Sequence, residues 1–252
     1  MTEHLYIVTG ASRGLGAAIT EQLIAPGHAL LCIARHNPAD LQARAAAGGA
    51  RIEQWNTDLG DPVPVAARLQ RWLAAFDPAA AASATLINNA AMLTRVGPLE
   101  SCDDAEISAS MRVSLEAPLL LTAAFLRATR EWQAPRRILN ISSGLGRHAL
   151  AGTAPYCAAK AGMDHYTRAV ALDEANHPNG ARIVSLAPGV IDTEMQVHLR
   201  GADPQAFPDR GTFVGLKEGG KLSSSADAAA RVLAYLNRPD FGANPVADVR
   251  DA

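Results

Sequence analysis

Hydrophobic positions fall into two alternating kinds of stretch along the chain. Short apolar runs rich in branched residues occur at Leu5–Thr9, Ala29–Ala34, Arg51–Asn56, Thr85–Asn88, Arg137–Ile141 and Arg182–Leu186. Each is apolar along its length rather than alternating, which predicts central strands of a parallel sheet covered on both faces. Between them, apolar positions recur at helical spacing over Gly14–Ala25, Pro62–Phe76, Ala105–Arg130, Ala154–Ala175 and Ser225–Leu236. This alternation predicts an α/β fold of Rossmann type, a doubly wound parallel sheet with helices on both faces. No solenoid repeat and no linker interrupts the pattern, so residues 1–252 are expected to form a single domain. Residues 192–224 lack clear periodicity and carry Gly201, Pro204, Pro208, Gly211, Gly215, Gly219 and Gly220. Long irregular segments in compact domains are commonly functional, and this one is expected to be a lid over substrate.

Composition narrows the function more than the fold. The 252 residues carry a net charge of −2 and a pI near 6.4, without the basic excess of a nucleic-acid-binding surface. No apolar run approaches the roughly 20 residues of a membrane-spanning helix. The N-terminal MTEHLYIVTG moves straight into a strand-like pattern, so a secretory signal is not expected. Cys32, Cys102 and Cys157 have no metal-ligand spacing, which points to free thiols in a reducing compartment and a cytoplasmic location. His148, His165 and His198 form no ligand cluster, so no metal site is expected. The expected partner is a small molecule.

The first strand runs into Thr9-Gly10-Ala11-Ser12-Arg13-Gly14-Leu15-Gly16. Glycines at this strand-to-helix junction permit a sharp turn and let backbone N–H groups approach a pyrophosphate, beside the positive end of the helix. The residue ending the second strand then selects the dinucleotide: a carboxylate for the ribose 2′-hydroxyl of NAD, a cation for the 2′-phosphate of NADP. Arg35 holds that position, and the nearest carboxylate, Asp40, comes too late. Arg13 is a second guanidinium within reach of the same phosphate. The two arginines predict NADP(H).

Tyr156 and Lys160 stand at i and i+4 on a predicted helix, hence on one face. Lysine occurs only at positions 160, 217 and 221. A phenol titrating near pH ~10 is a poor proton donor and acceptor at neutrality, and an adjacent ammonium is expected to lower that value. Tyr156 can then protonate a carbonyl oxygen as hydride reaches its carbon. Ser142 and Ser143 close the fifth strand at the mouth of the sheet, where one of them can orient the carbonyl.

Together these residues resemble the short-chain dehydrogenase/reductase family over nearly the whole chain. Thr9 to Gly16 is similar to its cofactor turn, Asp58-Leu59 to its adenine-contacting pair, and Asn88-Asn89-Ala90-Ala91 to its Asn-Asn-Ala-Gly signature. The resemblance implies that Gly10, Ser12, Arg13, Gly14, Leu15, Gly16, Arg35, Asp58, Leu59, Asn88, Ala90, Tyr156, Lys160, Pro188, Gly189, Ile191 and Thr193 contact the cofactor. It favours Ser143 as the catalytic serine, thirteen residues before Tyr156. The family's catalytic asparagine is replaced by Ser114 within Met111-Arg112-Val113-Ser114-Leu115; its backbone carbonyl is expected to keep the proton relay. Within the family the chain is most similar to the sepiapterin reductase and benzil reductase branch. That branch implies a C-terminal carboxylate facing substrate, with Asp248 the nearest candidate and Asp251 the alternative. It also implies a homodimer or homotetramer packed through the helices around 105–130 and 154–175.

The expected function is therefore NADPH-dependent reduction of a small ketone or vicinal dicarbonyl by Ser143, Tyr156, Lys160 and Ser114. The alternatives are reduction of a 3-oxoacyl group on a carrier protein, which requires a basic rim, and a non-catalytic NADPH-binding regulator.

Overall fold

The computed structural model describes residues 2–251. In its first half β1 (Glu3–Thr9), α1 (Gly14–Gln22), β2 (His28–Ala34), α2 (Leu41–Ala47), β3 (Arg51–Asn56), α3 (Pro62–Ala74) and β4 (Ala81–Asn88) follow one another. The second half runs α4 (Asp104–Met111), α5 (Ala117–Thr129), β5 (Arg136–Ile141), α6 (Ala154–Ala175), β6 (Arg182–Ala187), α7 (Glu194–Arg200), α8 (Arg210–Glu218), α9 (Ser225–Leu236) and β7 (Val246–Asp248). The strands form one parallel sheet in the order β3-β2-β1-β4-β5-β6-β7. The order reverses between β1 and β4, and the carboxyl ends of the strands at such a reversal open a crevice for ligands.

Successive strand residues point to opposite faces. Leu5, Ile7, Leu31 and Ile33 pack with Leu69 and Leu73 of α3 and Leu121 and Phe125 of α5. Tyr6, Val8, Leu30 and Cys32 pack on the other face with Leu15 and Ile19 of α1 and Val232 and Leu236 of α9. Burial on both sides is why the central strands read as unbroken apolar runs. β3 departs from that expectation: it is the sheet edge, and its exposed Arg51 and Glu53 alternate with less exposed neighbours.

Four further expectations are corrected. The helix expected over Ala105–Arg130 is α4 and α5 joined by a π-helical turn at Arg112–Glu116, an extra-residue bulge that apolar spacing does not reveal. This helical run, Asp104–Thr129, is long and apolar enough by length and composition to cross a membrane; counting unbroken apolar residues underestimated it. Here its Ala117, Leu121, Ala124 and Phe125 are core residues. Residues 192–224 are not irregular: they hold α7 and α8, over a satellite core of Val96, Leu199 and Phe207 against Leu93, Met195 and Phe213. Finally, β7 and α2 went unforeseen because three and seven residues are too few to establish a period.

Candidate active site

The glycine turn is built from close approaches. Gly10 and Gly14 have φ of +67° and +55°, a region that side-chain-bearing residues rarely enter. A Cβ on Gly16 would stand 2.1 Å from the Gly10 carbonyl oxygen and 2.4 Å from Asn89 Nδ2. Two residues outside the expected set hold this turn against β4. Thr9 Oγ1 accepts from the backbone N–H groups of Asn89 (2.9 Å) and Ala90 (3.0 Å), and Asn89 Nδ2 donates to the Thr9 carbonyl at 3.0 Å. Asn89 lay within the quoted signature, but spacing alone does not say which asparagine braces the turn. Asn88 does something else: it is buried, and its Nδ2 donates to Asn140 Oδ1 (2.8 Å) on β5.

The residues present fit a dinucleotide phosphate. The N-terminus of α1 has neither a side-chain cap nor a carboxylate in its first turn, so its N–H groups and positive end are offered to an anion. The segment after β6 closes on the same turn, for the Thr193 methyl lies 3.6 Å from the Cβ direction of Gly14. Pro188 and Gly189 follow β6, with Gly189 at φ +82°, and Ile191 is anchored by a bridge to Ser223. Arg35 is exposed immediately beyond β2. Arg13 is exposed too, but it pairs with Glu194 at the start of α7. Asp40 is paired with Arg44 at 3.0 Å. Ser12 is half-buried, the Leu15 and Leu59 side chains are core residues, and Asp58 is exposed and caps its own turn by accepting from Gly60 N–H.

The chemistry converges at the ends of β5 and α6. Tyr156 and Lys160 share one face, with Lys160 Nζ 5.6 Å from the centre of the Tyr156 ring. Lys160 is 1% exposed and donates to the Ile141 carbonyl at 2.7 Å. Burial lowers the Lys160 pKa to about 8, opposed by the negative charge of Asp164. Burial pushes Tyr156 up to about 12, opposed by the Ser143 hydroxyl. In the protein without cofactor, desolvation of the phenolate is the dominant influence on Tyr156. The phenol keeps its proton at neutral pH, and burial makes it a weaker acid than a free phenol.

The two serines separate by direction. Ser142 is buried and donates inward to Asp164 at 2.6 Å, while Ser143 is half-buried and accepts from Leu145 N–H at 3.2 Å. Ser114 lies buried in the π-turn, its hydroxyl accepting from Met92 N–H at 2.9 Å and donating to the Met92 carbonyl at 3.3 Å. That hydroxyl is fully engaged with the segment after β4. Asp248 ends β7, where both its oxygens are held by Arg250 at 2.8 and 2.6 Å. Asp251 is exposed beyond it.

This arrangement has counterparts. Residues 4–203 match the family model for short chain dehydrogenases. A benzil reductase ((S)-benzoin forming) from Bacillus cereus is 32% identical over 235 residues, covering 93% of this chain and 94% of that protein. A sepiapterin reductase from Meriones unguiculatus is 31% identical over 257 residues, covering 97% and 95%. The crystal structure of a 3-oxoacyl-[acyl-carrier protein] reductase from Brucella melitensis in complex with NAD superposes with a TM-score of 0.80 over 99% of this chain and 96% of that one. At 24% identity that last likeness speaks for the fold alone. With its parallel sheet and matched sequence, the chain belongs to the short-chain dehydrogenase family of oxidoreductases, which bind nicotinamide cofactors.

Proposed function

We propose that this protein is an NADPH-dependent reductase of a small ketone or vicinal dicarbonyl. The observation that carries the reading is the convergence of Ser143, Tyr156 and Lys160 at the ends of β5 and α6, one strand from the point where strand order reverses. The turn from Gly10 to Gly16 and the N-terminus of α1 would hold the pyrophosphate, and the segment Pro188–Thr193 would hold the nicotinamide. Arg35 pairs with the 2′-phosphate, and Asp40, the nearest carboxylate after it in sequence, is paired with Arg44. When bound, the reduced cofactor supplies hydride to the carbonyl carbon. Ser143 donates a hydrogen bond to the carbonyl oxygen and fixes its position. Tyr156 transfers its phenolic proton to that oxygen as negative charge develops there, giving an alcohol. Lys160, held in place by the Ile141 carbonyl, stabilises the phenolate left behind and offers its remaining N–H groups to ribose hydroxyls.

Substrate choice follows the relatives, a benzil and a sepiapterin reductase by name. Asp248 reaches a guanidine-like substrate edge only when Arg250 releases it. Residues 192–224 act as the lid through α7 and α8. A carrier-borne 3-oxoacyl substrate is less well supported, because two of the lid's four cations, Lys217 and Arg200, pair with Asp192. Exposed Leu119 on α5 and Leu172 on α6 support self-association through those helices. The test is loss of reduced-nicotinamide absorbance with benzil and with sepiapterin, NADPH and NADH compared. Turnover with NADPH preferred is expected; tight NADPH binding without turnover of either would favour a regulator.

A further inference from the structure

Asp164 is a carboxylate that the reaction above does not use. It lies on α6 one turn beyond Lys160 and two beyond Tyr156, so all three share a face. It is 1% exposed. An isolated buried carboxylate is strongly disfavoured, and it persists only when donors and a cation satisfy it. Here its Oδ1 accepts from Ser142 Oγ and from Ser185 Oγ, each at 2.6 Å, and its Oδ2 accepts from Arg147 Nε at 3.2 Å. The donors come from three separate segments: the end of β5, the middle of β6 and the loop after β5. Arg147 extends the chain of contacts by donating from Nη2 to the Ala247 carbonyl at 2.9 Å, on β7. The loop itself must pass close to reach this carboxylate. A Cβ on Gly146 would stand 3.0 Å from both Asp164 Oδ2 and the Lys160 carbonyl oxygen.

The consequence is local to the chemistry. Ser142 precedes Ser143, and Ile141, whose carbonyl holds the Lys160 ammonium, precedes Ser142. A single carboxylate therefore pins the backbone from which both catalytic groups are positioned, and adds a negative charge beside the buried ammonium. We propose that Asp164 is a positioning residue for the catalytic site, fixing the end of β5 through Ser142 and Ser185 and holding Lys160 in its charged form. The titratable and charged groups around it are Lys160 and Tyr156 on its own helix and Arg147 from the loop, with Asp248 and Arg250 beyond Arg147. The function of this arrangement rests on the reductase reading, whereas the coupling to Lys160 is measurable without any substrate.

The 252-residue chain has three lysines, so isotopically labelled lysine gives three resolvable side-chain signals, assigned with Lys217→Arg and Lys221→Arg. Asp164→Asn preserves shape and removes the charge. Its Lys160 signal is expected to titrate on the order of one pH unit lower than in the parent, within the usual effect of a nearby opposite charge; Lys217 and Lys221 stay unchanged. Arg147→Met, at a partly exposed site, frees Asp164 from a competing cation and is expected to move the Lys160 midpoint up; it serves also if Asp164→Asn fails to fold. With benzil and NADPH, the high-pH limb of kcat should move in step with the Lys160 midpoint while KM for benzil changes by less than about threefold. A Lys160 midpoint unmoved in every variant that folds overturns the proposal. A parent protein that leaves benzil and sepiapterin unreduced overturns the reductase reading instead, and the Lys160 titration still decides the role of Asp164.

Discussion

The Lys160 ammonium hangs from the carbonyl of Ile141, 2.7 Å away, and so from the last residue of β5. Helix α6 and strand β5 are thereby locked in register at the point where Ser143 and Tyr156 face each other. A single hydrogen bond inside the low-dielectric interior thus couples the two elements that carry the reaction, and a charged donor makes it stronger than a neutral one.

Tyr156→Phe removes the acid and little else. Turnover with benzil is expected to fall by about two to four orders of magnitude, the usual worth of a positioned proton donor. NADPH affinity, read by nucleotide fluorescence, should stay within about threefold because the glycine turn is untouched. Substantial residual kcat would remove Tyr156 from the acid role.

Arg35→Asp exchanges a cation for a carboxylate at the end of β2. A charge-assisted hydrogen bond is worth roughly 1.5–3 kcal/mol, so kcat/KM with NADPH should drop about tenfold to a hundredfold. That with NADH should hold or rise. An unchanged ratio of the two would mean that Arg35 does not read the 2′-phosphate.

Gly16→Ala forces a methyl to within 2.1 Å of the Gly10 carbonyl oxygen and 2.4 Å of Asn89 Nδ2. The turn must open, and the Thr9–Asn89 brace with it. NADPH binding is expected to weaken by at least about tenfold, and the melting temperature to fall by several degrees at the ~1–3 kcal/mol typical of overpacking. Calorimetric titration beside thermal unfolding separates the two effects.

Lys160 carries a definite pH signature. Its pKa is about 8 in the folded protein against an ordinary 10.5, chiefly because burial disfavours the ammonium. Between those values the unfolded chain binds more protons than the folded one, so the Lys160 contribution to stability grows as pH rises through that window. Lys160→Met should lose this rise. Urea midpoints of the parent relative to the variant are expected to increase from about pH 8 to 10.5, whereas kcat declines above about pH 8 as the ammonium is lost.

Glu174 is 3% exposed and pairs with Arg130 at 2.5 Å and with buried Arg136 at 3.8 Å, while also accepting from Ala181 N–H. Glu174→Gln leaves both guanidinium groups without their shared counter-charge. Breaking a buried pair costs about 3–5 kcal/mol, so thermal unfolding should shift down by roughly ten degrees with kcat nearly unchanged.

Much of this molecule is written in local pattern. Unbroken apolar runs mark the central strands, because a strand buried on both faces cannot alternate; β3, at the edge, alternates, and β4 begins four residues before its apolar run. Ala154–Ala175 and Ser225–Leu236 are legible for the same reason: each buries one stripe. The glycines of the turn and the shared face of Tyr156 and Lys160 are legible in spacing along the chain, whereas the choice of Ser143 over Ser142 comes from the family resemblance. Other features depend on what lies across a gap. Ser142 and Ser143 are equivalent as letters, and only the position of Asp164 draws one inward. The roles of Asn88 and Asn89, the pairing of Arg13 with Glu194 and the hold of Arg250 on Asp248 join segments that sequence order cannot bring together. Even the acidity of Tyr156 belongs to this second group: side-chain spacing announces a helpful ammonium, but burial is a property of the packed interior, and desolvation of the phenolate dominates there.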